Sequence, residues 1–152
     1  MANSQAMATS FKVDLLNGKH AFGTSVVRGS TAPDVFKVAL YVVGASNGAS
    51  TTAYTNTGEV SGSGYSPGGV AVTPFVAPTS FGTTAYTTPG GSFTFSGVTL
   101  GSSFDCALLY NSTATGKNAV AVFTFGSQTV TAGTLLLDMP TNDSTNALIR
   151  IA

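Results

Sequence analysis

Charged residues are scarce in this chain. They make up 8% of its 152 residues, and six basic side chains balance six acidic ones to a formal net charge of zero, whereas about a quarter of an average soluble domain is charged. Because the basic residues are scattered, no basic patch is predicted that could neutralise phosphates, and we expect no nucleic-acid binding. The surface must instead be covered by Ser, Thr, Asn and Gly, which suits a protein whose faces are partly covered by other proteins.

The side chains that usually carry catalysis are equally scarce. Histidine, cysteine and glutamate occur once each, as His20, Cys106 and Glu59, whereas a catalytic or metal site needs several such groups close together. We therefore predict that the chain is not an enzyme and holds neither a metal nor a cofactor. Cys106 alternates with apolar residues on a predicted strand, which indicates a buried, inert thiol.

No targeting or membrane-spanning segment is predicted. The first residues lack the basic start and apolar core of a signal peptide, and no apolar run approaches the roughly 18 residues that cross a membrane. We expect no membrane contact and a protein that stays in the cytosol until it joins an assembly. The length predicts a single domain spanning residues 1–152.

One helix is predicted, within an N-terminal segment spanning residues 1–20 that packs on the domain. Met7, Phe11, Leu15 and Leu16 recur at helical spacing. Gly18 stands where a left-handed C-terminal cap belongs.

Beyond this segment the apolar period changes to two, which predicts strands. Turns rich in Gly, Pro, Asn and Ser separate them, and long alternating helices are absent. The pattern predicts an all-β, mainly antiparallel domain of the β-sandwich or jelly-roll type. The predicted strand segments are 34–43, 69–77, 91–100, 103–111, 118–126, 129–140 and 146–152. The predicted core comprises Phe36, Val38, Leu40, Phe93, Phe95, Phe104, Leu108, Val120, Val122 and Leu148.

A glycine-rich segment, Gly-Glu-Val-Ser-Gly-Ser-Gly-Tyr-Ser-Pro-Gly-Gly-Val at 58–70, superficially resembles a phosphate-binding loop. A Gly-x-Gly-x-x-Gly loop offers backbone N–H groups to phosphate, but Pro67 stands at the place of the third glycine and has no N–H. No Gly-Lys-Ser/Thr follows either. The segment is therefore predicted to be a turn-rich surface loop.

Several stretches resemble a family of small virion structural proteins of tailed bacteriophages and prophages. They are "MATSFKVDLLNGKHAF", "DVFKVALYV", "TTAYTNTGEVSGSGYSPGGV" and the run from "ALLYN" to the end of the chain. The most specific parts are Glu-Val-Ser-Gly-x-Gly-Tyr at 59–65, "LLYN" at 108–111 and "VAVFTFG" at 120–126. The resemblance implies a virion structural protein and carries no catalytic residues.

Within that family, a neutral sheet-rich domain without an active site suits a capsid decoration or cement protein on the outer head shell. The expected partners are other virion proteins, the major capsid protein foremost, and further copies of the chain. The candidate protein-contact residues are Tyr54, Glu59 and Tyr65, with Tyr65 as an exposed aromatic anchor in a segment, 44–69, that is mobile until a neighbour covers it.

Two alternatives come from other classes of protein. One is a tail- or fibre-associated module that contacts other tail proteins or stacks tyrosines on host glycans. The other is a cell-wall hydrolase, which the scarcity of catalytic side chains disfavours.

Overall fold

The computed structural model describes residues 2–8, 11, 15, 19–22 and 33–151. In these residues every strand pairing is antiparallel. The predicted all-β, antiparallel class is therefore confirmed. The strands are β1 (Ala6–Met7), β2 (Phe36–Val42), β3 (Gly62–Ser63), β4 (Val70–Ala71), β5 (Thr79–Phe81), β6 (Thr84–Thr87), β7 (Phe93–Leu100), β8 (Phe104–Asn111), β9 (Ala119–Gln128), β10 (Gly133–Leu137) and β11 (Ile149–Ile151).

The strands form three sheets. A five-stranded sheet has the order β1-β9-β8-β2-β4, and two three-stranded sheets have the orders β10-β7-β3 and β11-β6-β5. The long strands β2, β8 and β9 lie in the middle of the large sheet, while the edge strands β1 and β4 are only two residues long. Short edges of this kind limit unwanted pairing with other chains.

The central strands are buried on both faces, which explains their nearly continuous apolar sequence. Ala39, Leu40 and Tyr41 are consecutive in β2 and all fully buried. Of the ten predicted core residues nine are buried, and Leu148 is half-buried against them. Cys106 is buried as predicted, and burial raises the pKa of its thiol to about 12.

The predicted N-terminal helix is not seen at its start. Ala6 and Met7 instead pair with Val122 and Ala121 of β9, and the backbone N–H of Ala8 donates to the carbonyl of Val120 at 3.1 Å. The helical spacing gave the wrong prediction for Ala6 and Met7. The open edge of β9 offers these residues both burial and backbone hydrogen-bond partners, and this outweighs helix propensity. Phe11 and Leu15, further along the predicted helix, are helical, and residues 9–10, 12–14 and 16–18 lie outside the described residues.

The strand predictions were correct in position and wrong in extent. Each predicted segment contains a strand, but the segment 69–77 contributes only Val70–Ala71, since Pro74 cannot donate to a ladder. Four short strands, β1, β3, β5 and β6, were not predicted, because two to four residues carry too little alternation to detect.

Candidate functional site

The glycine-rich segment lies along the free edge of β2. Glu59 pairs with Tyr41 in an isolated bridge, and the N–H of Val60 donates to the carbonyl of Leu40 at 3.0 Å. Further along the same edge, β4 pairs with Lys37 and Val38. Residues 61–69 leave the edge between these two contacts, so the loop is fixed to the sheet at both ends.

Tyr65 folds back into the gap that the loop leaves. Its hydroxyl oxygen accepts the N–H of Leu40 at 3.0 Å and its O–H donates to Glu59 Oε1 at 2.7 Å. Its ring stacks on Phe95, with centroids 5.6 Å apart and planes 19° apart. Because Tyr65 is only 8% exposed, the prediction of an exposed aromatic anchor is wrong. The side chain replaces a missing strand partner for β2.

Glu59 brings the three candidate contact residues together. Its Oε1 accepts the Tyr65 O–H and the N–H of Gly68, the latter at 2.8 Å, and its Oε2 accepts the Tyr54 O–H at 2.7 Å. Tyr110 adds a fourth connection by donating to the carbonyl of Gly68 at 2.8 Å. We call Tyr54, Glu59, Tyr65, Gly68 and Tyr110 the Glu59 cluster.

Tyr54 forms the outer wall of the cluster. Its ring stacks on Tyr110 at a centroid separation of 4.7 Å and an interplanar angle of 19°. The Lys117 ammonium lies 5.2 Å from the centroid of the Tyr54 ring, within the range of a cation–π contact. The single glutamate of the chain thus lies among aromatic rings, with one cation at the edge.

The glycines of the loop allow close backbone approach rather than phosphate binding. Gly69 has a φ of 68°, and a Cβ there would lie 1.8 Å from the carbonyl oxygen of Val38. Gly64 has a φ of 77°, and a Cβ there would lie 2.6 Å from the carbonyl oxygen of Gly97. Only glycine fits these positions without displacing the backbone.

Residues 64–68, Gly-Tyr-Ser-Pro-Gly, also match the Gly-x-Ser-x-Gly pattern of a nucleophile elbow. An elbow is a turn between a strand and a helix, whereas these residues run from β3 to β4 through turns. An elbow also needs a backbone N–H on the residue after the serine to stabilise an oxyanion, and Pro67 has none. The match therefore does not form a nucleophile elbow.

The outer surface of the loop carries no charge. Residues 55–57, 61–64 and 66–67 are exposed and consist of Thr, Asn, Ser, Gly and Pro. Gly62 and Ser63 pair with β7, and the neighbouring Tyr65 and Gly68 are hydrogen-bonded to Glu59. We call these nine residues the loop platform.

Stability is expected to fall above pH 10 because of the buried phenols. Burial, and then the hydrogen bond to Glu59, raises the pKa of Tyr65 far above its ordinary value of 10.0, and burial raises the pKa of Tyr110 to about 12. The folded state therefore keeps protons that the unfolded state releases. Stability is full below pH 10.0 and falls as the pH rises toward 12, by about 1.4 kcal/mol per pH unit for each such tyrosine.

Urea unfolding at intervals from about pH 8 to about pH 11 measures this slope. Tyr65→Phe, which removes one of the phenols, should reduce the slope above pH 10 by about 1.4 kcal/mol per unit. A free energy of unfolding that does not change above pH 10 would contradict the burial of these hydroxyls.

A second polar constellation joins His20 to the end of β8. His20 Nδ1 lies 3.1 Å from Asn111 Nδ2, which also donates to Asp34 Oδ2 at 2.8 Å. Asp34 Oδ2 accepts the N–H of Ala21 at 2.9 Å as well. His20 is buried and its ring centroid lies 4.9 Å from that of Phe11. This arrangement fixes residues 20–21 to the sheet, a role that the lone histidine did not reveal in the sequence.

Metal-binding and membrane-spanning features were sought in the described part of the chain. It contains no group of three or more His, Cys, Asp or Glu placed to hold a metal ion. No helix in the same residues is long and apolar enough to span a membrane.

Comparison of the chain with models of protein families, with curated proteins and with solved structures found no match. The resemblance to phage virion proteins therefore stays a prediction from the sequence. The geometry of the described residues is the only further support for a function.

Proposed function

We propose that this protein is a non-enzymatic structural subunit of a bacteriophage virion, most specifically a decoration protein that binds the outer head shell. The observation that carries the proposal is the loop platform, an uncharged surface held in place by the Glu59 cluster and by the pairing of β3 with β7. One of the three most specific parts of the family resemblance, residues 59–65, overlaps the platform at residues 61–64. A feature of the sequence and a feature of the geometry thus both support this loop as the contact surface.

A pre-ordered platform suits a subunit that binds many equivalent sites. Ordering a flexible loop on binding costs about 1–2 kcal/mol per residue in backbone entropy, and the internal hydrogen bonds of the Glu59 cluster offset this cost before any partner arrives. This replaces the sequence-based expectation that the segment is mobile in the free protein. Weak equivalent contacts then gain strength from their repetition over a symmetric shell.

The finer fold that accompanies this proposal is a β-sandwich. Val38 and Leu109 of the five-stranded sheet and Phe93 and Leu137 of the β10-β7-β3 sheet line one shared cavity, as expected for two sheets packed face to face. The loop platform follows the edges of these two sheets, since Glu59 pairs with β2 and Gly62–Ser63 with β7.

The proposed partner is the major capsid protein, and the proposed location is the virion after assembly in the host cytoplasm. A charge-free platform implies contact through backbone and hydroxyl hydrogen bonds and apolar groups. Binding through such groups depends little on ionic strength, in contrast to binding through ion pairs.

The burial of the tyrosines weakens the tail-associated alternative, in which tyrosines stack on host glycans. A glycan-binding module needs exposed aromatic faces, but Tyr41, Tyr65 and Tyr110 are buried, and Tyr54 is half-buried with its ring on Tyr110. Four of the five tyrosines of the chain are therefore engaged inside the domain.

Purified particles test the proposal through the copy number of this protein. A quantitative gel should show it in an amount comparable to that of the major capsid protein, and mild stripping should release it from intact heads. A low copy number confined to isolated tails would replace the decoration role with the tail module. Absence from the particle would overturn the virion assignment as a whole.

A further inference from the structure

A β-hairpin presents an exposed aromatic side chain at its tip. Phe81 of β5 pairs with Thr84 of β6 across a two-residue turn. Gly82, the first turn residue, has a φ of 58°, as a type II′ hairpin turn requires. Phe81 is 74% exposed. Among the large hydrophobic side chains exposed in the described residues, it is the only aromatic one.

The base of this hairpin is firmly attached. Thr87 of β6 pairs with Ile149 of β11, and its hydroxyl donates to the carbonyl of Val76 at 2.6 Å. Thr88 Oγ1 accepts the N–H of Leu148 at 2.9 Å. Phe81 is thus held on a paired strand, away from any apolar surface of its own molecule.

An apolar cavity of about 170 Å³ lies between the five-stranded sheet and the β10-β7-β3 sheet. Val38, Phe93, Leu137 and Leu148 are among its lining residues, and all of the lining side chains are apolar except Asp138. Asp138 is exposed and marks the rim. A cavity of about 150 Å³ with a similar lining stays dry and binds benzene, so an aromatic ring is a suitable occupant.

We infer that Phe81 of one copy of the chain inserts into this cavity in a second copy. The ring matches the cavity in size and polarity, and its positive edge is compatible with the Asp138 carboxylate at the rim. Phe81 does not line the cavity of its own molecule. The zero net charge of the chain places no overall repulsion between copies.

The contact is heterologous, because a tip on one copy meets a cavity on the next. Repetition of such a contact produces a ring if the rotation closes and an open chain if it does not. The inference goes beyond the proposed attachment to a shell. Since it concerns the isolated protein, it can fail while the virion assignment holds, and the reverse is equally possible.

Sedimentation velocity of the purified protein over a range of concentrations tests the contact. The wild type should self-associate as concentration rises, and Phe81→Ser should raise the apparent dissociation constant at least about tenfold. Val43→Ser is the matched control, because Val43 is 50% exposed at the end of β2. It should associate as the wild type does.

Mixing two defective variants tests the direction of the contact. Ala107 lines the cavity, so Ala107→Leu should fill it and abolish self-association while leaving Phe81 intact. Phe81→Ser keeps an open cavity. Each variant alone should stay monomeric, whereas their mixture should form a one-to-one complex that grows no further.

Thermal unfolding checks that each variant is folded, and Leu148→Phe serves as a second cavity-filling variant if Ala107→Leu is not. Toluene gives an independent readout in the wild type, because it should occupy the cavity and dissociate the assembly. The inference is overturned if the wild type is monomeric at every concentration, if Phe81→Ser associates like Val43→Ser, or if the mixture forms no complex. Toluene binding to a protein that is always monomeric would make the cavity a small-ligand site and equally overturn the contact between copies.

Discussion

Glu59→Ala is expected to lower the free energy of unfolding by about 3–5 kcal/mol. The substitution removes the acceptor of three hydrogen bonds, from Tyr54, Tyr65 and the N–H of Gly68. Tyr65 is buried, and each buried donor that is left unsatisfied costs about 1–3 kcal/mol. Tyr54 is half-buried and can turn toward water, so its share is smaller. Urea unfolding of the purified variant measures the loss.

Glu59→Gln provides a graded comparison. The amide oxygen can still accept from Tyr65 and Gly68, and the Tyr54 hydroxyl can rotate to accept from the amide nitrogen. We therefore expect a loss of about 1–2 kcal/mol, clearly less than for alanine. Asp138→Ala is the control: it removes an exposed carboxylate that accepts one hydrogen bond, from the Ser92 hydroxyl, and should cost about 1 kcal/mol or less. Equal stability of Glu59→Ala and the wild type would show that the cluster does not hold the loop.

Tyr65→Ala is expected to destabilise the domain by about 3–5 kcal/mol, the usual cost of removing a buried aromatic side chain. It deletes the ring stacked on Phe95 and leaves the N–H of Leu40 without its acceptor. Tyr65→Phe keeps the ring and removes only the hydroxyl, so we expect about 1–3 kcal/mol. The difference between the two variants separates packing from hydrogen bonding.

Tyr86→Phe is the matched control for the hydroxyl. Tyr86 lies on β6, outside the Glu59 cluster, and its substitution should change stability by about 0.5 kcal/mol or less. If Tyr65→Phe were as stable as Tyr86→Phe, the hydroxyl of Tyr65 would have no structural role.

The central strands could be predicted because both of their faces are buried. Long, mostly apolar runs such as Phe36–Val42 and Phe104–Asn111 indicate strands buried on both faces, and this can be read without knowing which strands pair with them. The N-terminal segment could not be predicted in the same way. Met7 pairs with Ala121, more than a hundred residues away, and only the free edge of β9 decides that Met7 is extended.

The residues of the Glu59 cluster were selected from the sequence for another role. Tyr54, Glu59 and Tyr65 were candidates for contact with a partner, which stays a prediction, and the structure brings the two tyrosine hydroxyls to the Glu59 carboxylate. The sequence could not show whether the Tyr65 side chain points to solvent or back to the sheet. Glycines on both sides of Tyr65 suggest exposure, but they also permit the tight turn that returns the ring to β2. A lone carboxylate with a tyrosine five residues before it and another six residues after it was the one available signal for an internal hydrogen-bonded cluster.

Gly69 shows why the glycine pattern resembled a ligand-binding loop. Its backbone lies so close to the carbonyl of Val38 that no side chain fits. A loop that cradles phosphate has the same requirement for close approach. A glycine in the sequence indicates close approach by another group, but it does not identify that group. The fold shows that the group at Gly69 is the backbone of β2.

Hydrogen exchange at the Leu40 amide is the most direct test of the claim that the glycine-rich loop is folded in the free protein. This N–H lies on the edge of β2 that faces the loop, and its acceptor is the Tyr65 hydroxyl. We predict slow exchange in the isolated wild type, close to the rate set by global unfolding, and faster exchange through local opening in Tyr65→Phe. Exchange of the wild-type Leu40 amide at the rate of an unstructured peptide would contradict the claim, because the loop would then be ordered only by a partner.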